Sequence, residues 1–122
     1  MGYYLMTEQL KSRLNVGGAI DQWLGTYEEE REVIIKWINI FSDKDGYHVL
    51  FIESYDEGDE DFVDVVSFSA VDPDGTYGVL NTFDTSEEVI KFVMEEYGAS
   101  ADKFVAGGMI QEEYIKYLST RG

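Results

Sequence analysis

Two apolar runs joined by a short polar segment decide the fold of this chain: VIIKWINIF at residues 33–41 and YHVLFIESY at residues 47–55, with SDKDG at 42–46 between them. Both runs are rich in β-branched and aromatic residues, which favour β-strands. The pair Asp45 and Gly46 favours a tight turn of the kind that joins antiparallel strands. The sequence therefore predicts a β-hairpin at the centre of the molecule.

Apolar side chains occupy both faces of these two strands. Because successive residues of a strand point to opposite faces, Ile35 and Trp37 lie on one face, whereas Ile34 and Ile38 lie on the other. A strand that is apolar on both faces belongs in a sheet that is covered on both sides. We expect the second face to be covered by a helix layer, by a partner protein, or by a second copy of the chain in a homodimer.

Turn and capping patterns predict the remaining elements. Thr7 is placed to cap a short N-terminal helix, and residues 19–24 are expected to form a second turn or helix. The segment 84–87 (DTSE) fits a capping box, which begins a helix, and Gly107 with Gly108 separates that helix from the last one. The predicted fold is α+β, an antiparallel β-meander of three to four strands packed with the N-terminal helical segment and two C-terminal helices. The predicted strands are about 31–41, 47–55, 62–71 and 79–83, and the predicted C-terminal helices are about 86–97 and 109–119.

The composition predicts one folded domain, 1–122, in the cytoplasm. Hydrophobic residues make up 44% of the 122 positions and aromatic residues 15%, which is enough to build a core and too much for a disordered chain. The absence of cysteine excludes disulfides and thiol catalysis. The N-terminal segment lacks a basic leader followed by a long apolar run, so we expect neither export nor membrane insertion.

The charge distribution is the most informative feature for function. The net charge is −16, and positions 45–90 contain thirteen carboxylates but no Lys or Arg. Such a surface repels nucleic acid and anionic membranes and attracts cations or basic protein surfaces. We therefore expect a basic protein partner and no direct contact with nucleic acid or membrane.

The sequence offers little for catalysis, cofactor binding or metal binding. His48 is the only histidine, so a transition-metal site or a histidine-based triad would lack partners, and a structural role is favoured. Two Asp-Gly turns suggest calcium, but with Gly75 as the sixth loop position the first and twelfth would be Ala70 and Asn81, which are not the ligands of an EF-hand. We assign no catalytic residue, no cofactor and no metal.

The leading hypothesis is a small acidic, non-catalytic protein-binding module. Aromatic residues flank the acidic turn 56–61, and this combination suits an interface in which charge steers association and aromatic side chains supply affinity. Immunity proteins that block nucleases and proteins that imitate DNA share this size and charge, which makes an inhibitor the sharpest form of the hypothesis. The predicted partner-binding residues are Asp56, Glu57, Asp59, Glu60, Asp61, Tyr55, Phe62 and Tyr77.

Two alternatives remain open. In the first alternative, the chain is a small-molecule-binding α+β domain or a weakly diagnosed enzyme. Its pocket would lie between the sheet and the C-terminal helices and be lined by Trp37, Phe51, Tyr97 and Tyr114. In the second alternative, the acidic turns are solvated loops whose charge only keeps the protein in solution. A second acidic patch, EEERE at residues 28–32, is separated in sequence from the turn at 56–61, and its position relative to that turn is left open.

Overall fold

The structure is a computed structural model that describes residues 4–59, 61–69, 71 and 79–121. Its strands form one antiparallel sheet in the order β4-β3-β2-β1-β5. The predicted α+β class is confirmed, as are the N-terminal helix and the two C-terminal helices. The elements in chain order are α1 (Thr7–Asn15), β1 (Ile20–Glu29), β2 (Glu32–Asp43), β3 (Gly46–Tyr55), a 3-10 turn (Val65–Ser67), β4 (Val79–Phe83), α2 (Ser86–Glu96), β5 (Val105–Ala106) and α3 (Ile110–Arg121).

The predicted central hairpin is confirmed. Strand β3 pairs with β2 along its whole length, from Tyr55 opposite Ile34 to Gly46 opposite Asp43. The Asp43 carboxylate accepts a hydrogen bond from the Asp45 N–H at 2.8 Å, which closes the turn. Gly46 has φ +133°, and a Cβ there would lie 2.6 Å from the Phe83 carbonyl oxygen on β4. Only glycine fits this turn while the neighbouring strand approaches so closely.

Helices α1 and α2 cover one face of the sheet, here called the α1/α2 face. Ile20, Ile38, Ile40 and Val49 lie on this face and are fully buried. These side chains pack against apolar residues of α1, of α2 and of the segment after α2: Leu10, Leu14, Val89, Val93, Ala99 and Phe104. The spacing of Leu10 and Leu14, and of Val89 and Val93, places each pair on one side of its helix.

Helix α3 and the 3-10 turn cover the opposite face, here called the α3 face. Ile35, Trp37 and Ile52 lie on it and pack against Val65, Phe68, Ile110 and Tyr114. Of the three covers expected for the second face, a helix layer is therefore present. Within the described ranges, no helix combines the length and the apolar composition that crossing a membrane requires.

The turn or helix predicted at residues 19–24 is wrong, because this segment begins strand β1. Local sequence patterns did not indicate this strand, because Asp21 and Gln22 are polar and interrupt the apolar pattern. Both side chains are nevertheless buried. The Gln22 amide exchanges two hydrogen bonds of 2.8 Å with the backbone of Ser100. A β-bulge between Trp23 and Gly25 then shifts the register with β2. Partners far away in sequence, which local propensity does not contain, stabilise this strand.

The third strand predicted at 62–71 is also wrong over its described residues. The segment instead contains the 3-10 turn, and β4 takes the place beside β3, along Tyr47 to Phe51. Val65 and Phe68 are both buried, and a three-residue spacing puts two side chains on one side of a 3-10 turn. Among the described residues of the segment, two backbone hydrogen bonds, at Ser69 and Val71, join it to the end of β3.

Helix starts are shifted slightly from their predicted positions. The N-cap expected at residue 84 from the predicted capping box lies one residue later, because Thr85 is the N-cap and its hydroxyl accepts from the Glu88 N–H at 3.1 Å. Thr7, predicted as a cap, is the first residue of α1, and the Gln9 side-chain oxygen accepts from the Met6 N–H at 2.6 Å. A threonine cap is therefore present at α2, one residue later than predicted, whereas the cap predicted at Thr7 is wrong.

His48 joins three strands. Its Nδ1 lies 2.9 Å from the Thr82 hydroxyl on β4, and its Nε2 lies 2.7 Å from the Asp43 carboxylate at the end of β2. The ring also contacts Phe41, with centroids 5.0 Å apart. The neutral tautomer that carries its proton on Nε2 satisfies both contacts, because Nε2–H donates to Asp43 and Nδ1 accepts from Thr82. The hydrogen bond between His48 and Asp43 is the main cause of the lowered pKa of the Asp43 carboxyl.

Replacing Ile38 by Ala tests the core of the α1/α2 face. Ile38 lies on β2 and is fully buried in the core between the sheet and helices α1 and α2. The variant should therefore lose about 2–5 kcal/mol of unfolding free energy. The control is Val16→Ala, because Val16 is 85% exposed and its truncation should change stability by less than about 0.5 kcal/mol. Urea denaturation followed by circular dichroism measures both. Equal stabilities of the two variants would contradict the described packing.

Candidate functional site

Two acidic segments that are distant in sequence lie at the same end of the sheet. The turn between β1 and β2, together with the strand ends that it joins, contains EEERE at 28–32, and we call this segment the β1–β2 turn. The loop after β3 contains the acids of 56–61. Glu28 pairs with Val33 across β1 and β2, and the Val33 carbonyl accepts a hydrogen bond from the Asp56 N–H at 2.9 Å. The register of three strands therefore brings the two segments side by side.

Seven of the described carboxylates at this end of the sheet are solvent-exposed. Arg31 is the only Lys or Arg within the two segments. Because unpaired carboxylates in proximity create a strong local negative potential, this end differs from a surface of mixed charge. We call the exposed carboxylates the acidic end: Glu28, Glu29, Glu30, Glu32, Glu57, Asp59 and Asp61.

The tip of the β1–β2 turn has an unfavourable backbone conformation. Glu29 pairs with Glu32, which leaves Glu30 and Arg31 as a two-residue turn with φ of 51° and 72°. Positive φ at both positions is typical of a type I′ turn, in which Asn and Gly are preferred. A residue other than Gly or Asn that adopts this left-handed backbone conformation costs on the order of 1 kcal/mol. Charged side chains are therefore present where folding favours other residues.

The loop after β3 uses several of its acids to hold its own shape. Asp56 is half-buried and accepts hydrogen bonds from the hydroxyls of Tyr114 and Tyr117 on α3, the second at 3.2 Å. The Glu57 carboxylate accepts from the Ser69 N–H at 2.6 Å. The Asp59 carboxylate accepts from the N–H groups of the residues two and three positions later, at 2.8 and 3.1 Å. These bonds hold the loop in a defined shape.

Close packing of this loop against α3 explains its glycine. A Cβ on Gly58 would come within 2.6 Å of both the Phe68 ring and the Tyr114 hydroxyl. Such distances are shorter than non-bonded atoms tolerate, so a larger residue would displace the loop. The acids of 56–61 are thereby held at a defined position relative to α3.

The predicted partner-binding residues are only partly brought together. Glu57, Asp59 and Asp61 belong to the acidic end, whereas Asp56 is half-buried and turned to α3. Tyr55 is half-buried at the end of β3. Phe62 is 42% exposed and leans on Phe68, with ring centroids 5.4 Å apart. Glu60 and Tyr77 lie outside the described residues.

Tyr27 lies beside the acidic end and was not found from the sequence. Its hydroxyl donates a hydrogen bond of 2.8 Å to the Glu53 carboxylate across β2. Burial, together with the neighbouring Glu53, raises the pKa of Tyr27 to about 12. Tyr27 therefore stays protonated and neutral at physiological pH. The pairing of Tyr27 with Glu53 depends on the register of β1, which the sequence did not predict.

A second feature is a cleft of about 360 Å³ on the α3 face. Its walls are mostly apolar, and its polar side contains Asp21, Asn39 and Gln111. One Asp21 oxygen accepts from the Asn39 side-chain amide at 2.6 Å, and the other accepts from the Gly108 N–H at 3.0 Å. Burial raises the pKa of Asp21, although both hydrogen bonds act in the opposite direction. The remaining lining residues are Trp37, Leu50, Ile52, Val66, Gly108 and Ile110.

This cleft is not the pocket that the sequence predicted. Trp37 lines it, but Phe51 and Tyr97 stack on each other on the α1/α2 face, with centroids 4.4 Å apart. Tyr114 packs in the α3-face core. The four residues of the predicted pocket therefore lie on opposite sides of the sheet. Trp37 Nε1 and Ser54 Oγ are buried without a hydrogen-bond partner among the described residues, and neither atom reaches solvent.

Metal chemistry and known relatives give no further direction. Across the described part of the chain, no group of three or more His, Asp or Glu side chains is arranged to hold a metal ion. His48 has both ring nitrogens engaged in joining strands. Comparisons of the chain with protein-family models, curated proteins and solved structures found no match. The geometry itself must therefore support any assignment of function.

Asp21→Asn tests the buried carboxyl by its pH dependence. Since burial raises the pKa of Asp21 in the folded state, the unfolded chain releases this proton first as pH rises. The stability of wild type relative to the variant should be greatest below about pH 4, near the ordinary carboxyl pKa, and should decline as pH rises through the raised value. Urea midpoints between pH 3 and 8 measure this difference.

The control for this experiment is Asp102→Asn, which removes an exposed carboxyl. If wild type instead gained stability relative to Asp21→Asn as pH rises, burial would not be the dominant cause of the pKa shift of Asp21. The Asn side chain also places an N–H₂ group near the Asn39 or Gly108 donor. An additional pH-independent loss of about 1–3 kcal/mol is therefore expected from that unsatisfied contact.

Proposed function

We propose that the protein is a small non-catalytic binding module of the cytoplasm, and that its acidic end engages a basic surface of a partner protein. The observation that carries this proposal is the convergence of the 28–32 turn with the 56–61 loop. The Asp56 N–H and the Val33 carbonyl, 2.9 Å apart, join the two segments. An acidic end assembled from two segments is larger than either acidic run alone.

Electrostatics supports a role in association. Seven exposed carboxylates and one arginine occupy the described residues of the two segments. Charges within the Debye length, about 8 Å at physiological ionic strength, add to the same local potential. Such a potential accelerates encounter with a positive surface and disfavours partners of like charge. Inhibition of a nucleic-acid-binding enzyme is the sharpest form of this function, because its active surface must itself be basic.

The aromatic residues beside the acidic end support affinity as well as steering. Phe62 is 42% exposed, and it follows the acids of the loop directly. Charges at the rim of an interface mainly set the association rate, whereas buried aromatic anchors set most of the affinity. The loop hydrogen bonds of Glu57 and Asp59 hold Phe62 in place before binding. This preorganisation reduces the entropy lost on association.

Neutralising the β1–β2 turn tests the proposal without disturbing the fold. In the test variant Glu28, Glu29, Glu30 and Glu32 become Gln, and in the control variant the exposed acids Glu8, Glu95, Glu96 and Asp102 become Gln or Asn. Both variants lose four charges. Against a panel of purified basic nucleases, the test variant should reduce the association rate at least about tenfold, because steering scales with local charge.

Stopped-flow mixing at low and moderate salt gives these rates. The wild-type association rate should fall steeply with salt, and the control variant should stay within about twofold of wild type. Binding that is independent of salt, or equal losses in both variants, would contradict a localised role for the acidic end. Failure of every basic nuclease in the panel to bind would remove the inhibitor form of the proposal.

The α3-face cleft favours a second candidate function, the binding of a small, mostly apolar molecule. The single observation behind it is a cleft of about 360 Å³ with apolar walls and a polar side formed by Asp21 and Asn39. Drug-sized ligands occupy clefts of this size and composition. Among the described residues that line it, none carries a positive charge, so the fitting class is a neutral ligand with a hydrogen-bond donor.

Titration with the neutral dye N-phenyl-1-naphthylamine tests this second candidate. Val66 lines the cleft, so Val66→Phe should narrow it and weaken dye binding at least about fivefold. Val79→Phe is the control, since Val79 is similarly exposed and lies on β4 outside the lining. Dye fluorescence measures the affinity. Equal dye binding by both variants and wild type would contradict a ligand site in this cleft.

A further inference from the structure

A carboxylate, an imidazole and a hydroxyl follow one another across three strands. The Asp43 carboxylate lies 2.7 Å from Nε2 of His48, and the Thr82 hydroxyl lies 2.9 Å from Nδ1 of the same ring. When Nε2 carries the ring proton, the imidazole donates to the carboxylate and accepts from the hydroxyl. A nucleophile, its base and a carboxylate that orients the base have this same order in a catalytic triad.

The three groups differ in exposure. His48 is only 7% exposed, whereas Thr82 is a solvent-exposed residue of β4. Phe41 packs against the imidazole, with ring centroids 5.0 Å apart. The Asp43 carboxylate also accepts from the Asp45 N–H at 2.8 Å, which holds it in the turn. The hydroxyl is therefore the end that a molecule from solvent can reach, and the base and the carboxylate are held behind it.

The register of the sheet places this group beside the α3-face cleft. Asn39 lies opposite Leu50, and Leu50 lies opposite Leu80 on β4. His48 is two residues before Leu50 and lies opposite Thr82. Because residues two apart on a strand share a face and are separated by about 7 Å, His48 and Thr82 occupy the row next to that of Leu50. Asn39 and Leu50 are both part of the cleft lining.

Two leucines connect the cleft with the Thr82 hydroxyl. Leu50 lines the cleft, and its cross-strand neighbour Leu80 is 56% exposed. Leu80 precedes Thr82 by two positions and therefore lies on the same face of β4. A ligand whose apolar part occupies the cleft can extend along these leucines to Thr82.

We infer that Thr82, His48 and Asp43 form a hydrolytic site for small neutral esters whose apolar acyl group lies in the α3-face cleft. Thr82 and His48 are its catalytic residues, and Asp43 is a positioning residue. A neutral substrate fits, because the net charge of −16 repels anions. The inference rests on the second candidate function, since the cleft must bind the substrate. It is independent of the acidic end, whose role has its own test.

The reaction begins with transfer of the acyl group to Thr82. His48 Nδ1 takes the hydroxyl proton while Thr82 Oγ1 forms a bond to the ester carbonyl carbon. The bond from that carbon to the leaving oxygen then breaks, and His48 gives the proton to this oxygen, which releases an alcohol. Asp43 accepts the Nε2–H throughout and stabilises the positive charge on the ring.

Water completes the reaction. His48 takes a proton from a water molecule while the water oxygen bonds to the acyl carbon. The bond between that carbon and Thr82 Oγ1 breaks, the carboxylic acid leaves, and the proton passes from His48 to Oγ1. One ester and one water have then become one acid and one alcohol. Esters are the least demanding substrates, because an alcohol or a phenol leaves more readily than an amine.

Hydrolysis of p-nitrophenyl butyrate, with mass spectrometry of the acid-quenched protein, tests the inference. Wild type should release p-nitrophenol and carry a butyryl group on Thr82. Thr82→Val keeps the shape of the side chain without its hydroxyl, so it should lose this adduct and lower kcat at least about a hundredfold. Thr82→Ser should retain both. Thr26→Val is the matched control, because Thr26 is also an exposed threonine of a strand, and it should leave kcat unchanged.

Two further variants test the positioning residue and the cleft. Asp43→Asn should lower kcat at least about tenfold with little change in KM, because it affects the orientation and charge of the base rather than substrate binding. A purely structural role of Asp43 would not produce this separation of kcat from KM. Val66→Phe narrows the cleft and should raise KM for the butyrate ester. Circular dichroism verifies that each variant is folded.

The outcomes separate this inference from the second candidate function. Equal hydrolysis by wild type and Thr82→Val, or a butyryl group found on lysine or histidine alone, overturns the inference. If the neutral dye still binds in the cleft in that case, the cleft remains a ligand site and only the hydrolytic site is excluded. Hydrolysis that requires Thr82 but is unaffected by Val66→Phe would also overturn the inference, because the acyl group would then lie outside the cleft.

Discussion

The pairing of two strands that are apolar on both faces is the constraint on which the rest of this structure depends. β2 and β3 carry Ile35, Trp37 and Ile52 on one face and Ile38, Ile40 and Val49 on the other. Each such side chain gains about 1.5–3 kcal/mol when it is removed from water. Neither face therefore tolerates solvent, so α1 and α2 must lie on one side and α3 on the other.

This constraint also determines where the charge lies. With helices on both faces of the sheet, carboxylates are restricted to turns, helix surfaces and the ends of strands, since burying an unpaired charge is costly. The β1–β2 turn and the loop after β3 are both at one end because the intervening strands are antiparallel. Two described acids are buried, and both have partners. Asp21 accepts hydrogen bonds from Asn39 and Gly108, and Glu113 accepts from the Tyr4 hydroxyl and lies 3.6 Å from the Lys116 ammonium group.

Local sequence patterns predicted the parts of the fold that local interactions stabilise. The hairpin depends on its own turn and on alternation, and the helices depend on capping residues and apolar stripes. β1 was missed because its polar residues find partners such as Ser100, which is 78 positions away from Gln22. Val65 and Phe68 are buried against α3, and the turn they form follows from that packing rather than from their β-propensity.

The candidate site required strand register, which the sequence alone does not supply. Both acidic segments were visible as composition, yet their contact depends on Glu28 lying opposite Val33 and on the bond from Asp56 to Val33. Asp21 and the cleft were missed for the same reason that β1 was missed. The acids of 56–61 were expected to leave β3 in a turn, but their hydrogen bonds to Ser69, Tyr114 and Tyr117 depend on tertiary packing.

These hydrogen bonds separate acids that the fold needs from acids that it does not need. Asp56, Glu57 and Asp59 each accept a bond that holds the loop, so stability alone accounts for them. Glu30 occupies a left-handed turn position that Asn or Gly would occupy at lower energy. Strain of this kind is found where a site has a task besides folding. The β1–β2 turn is therefore the part of the acidic end where charge is least explained by stability, and it is the part on which the proposed function depends most.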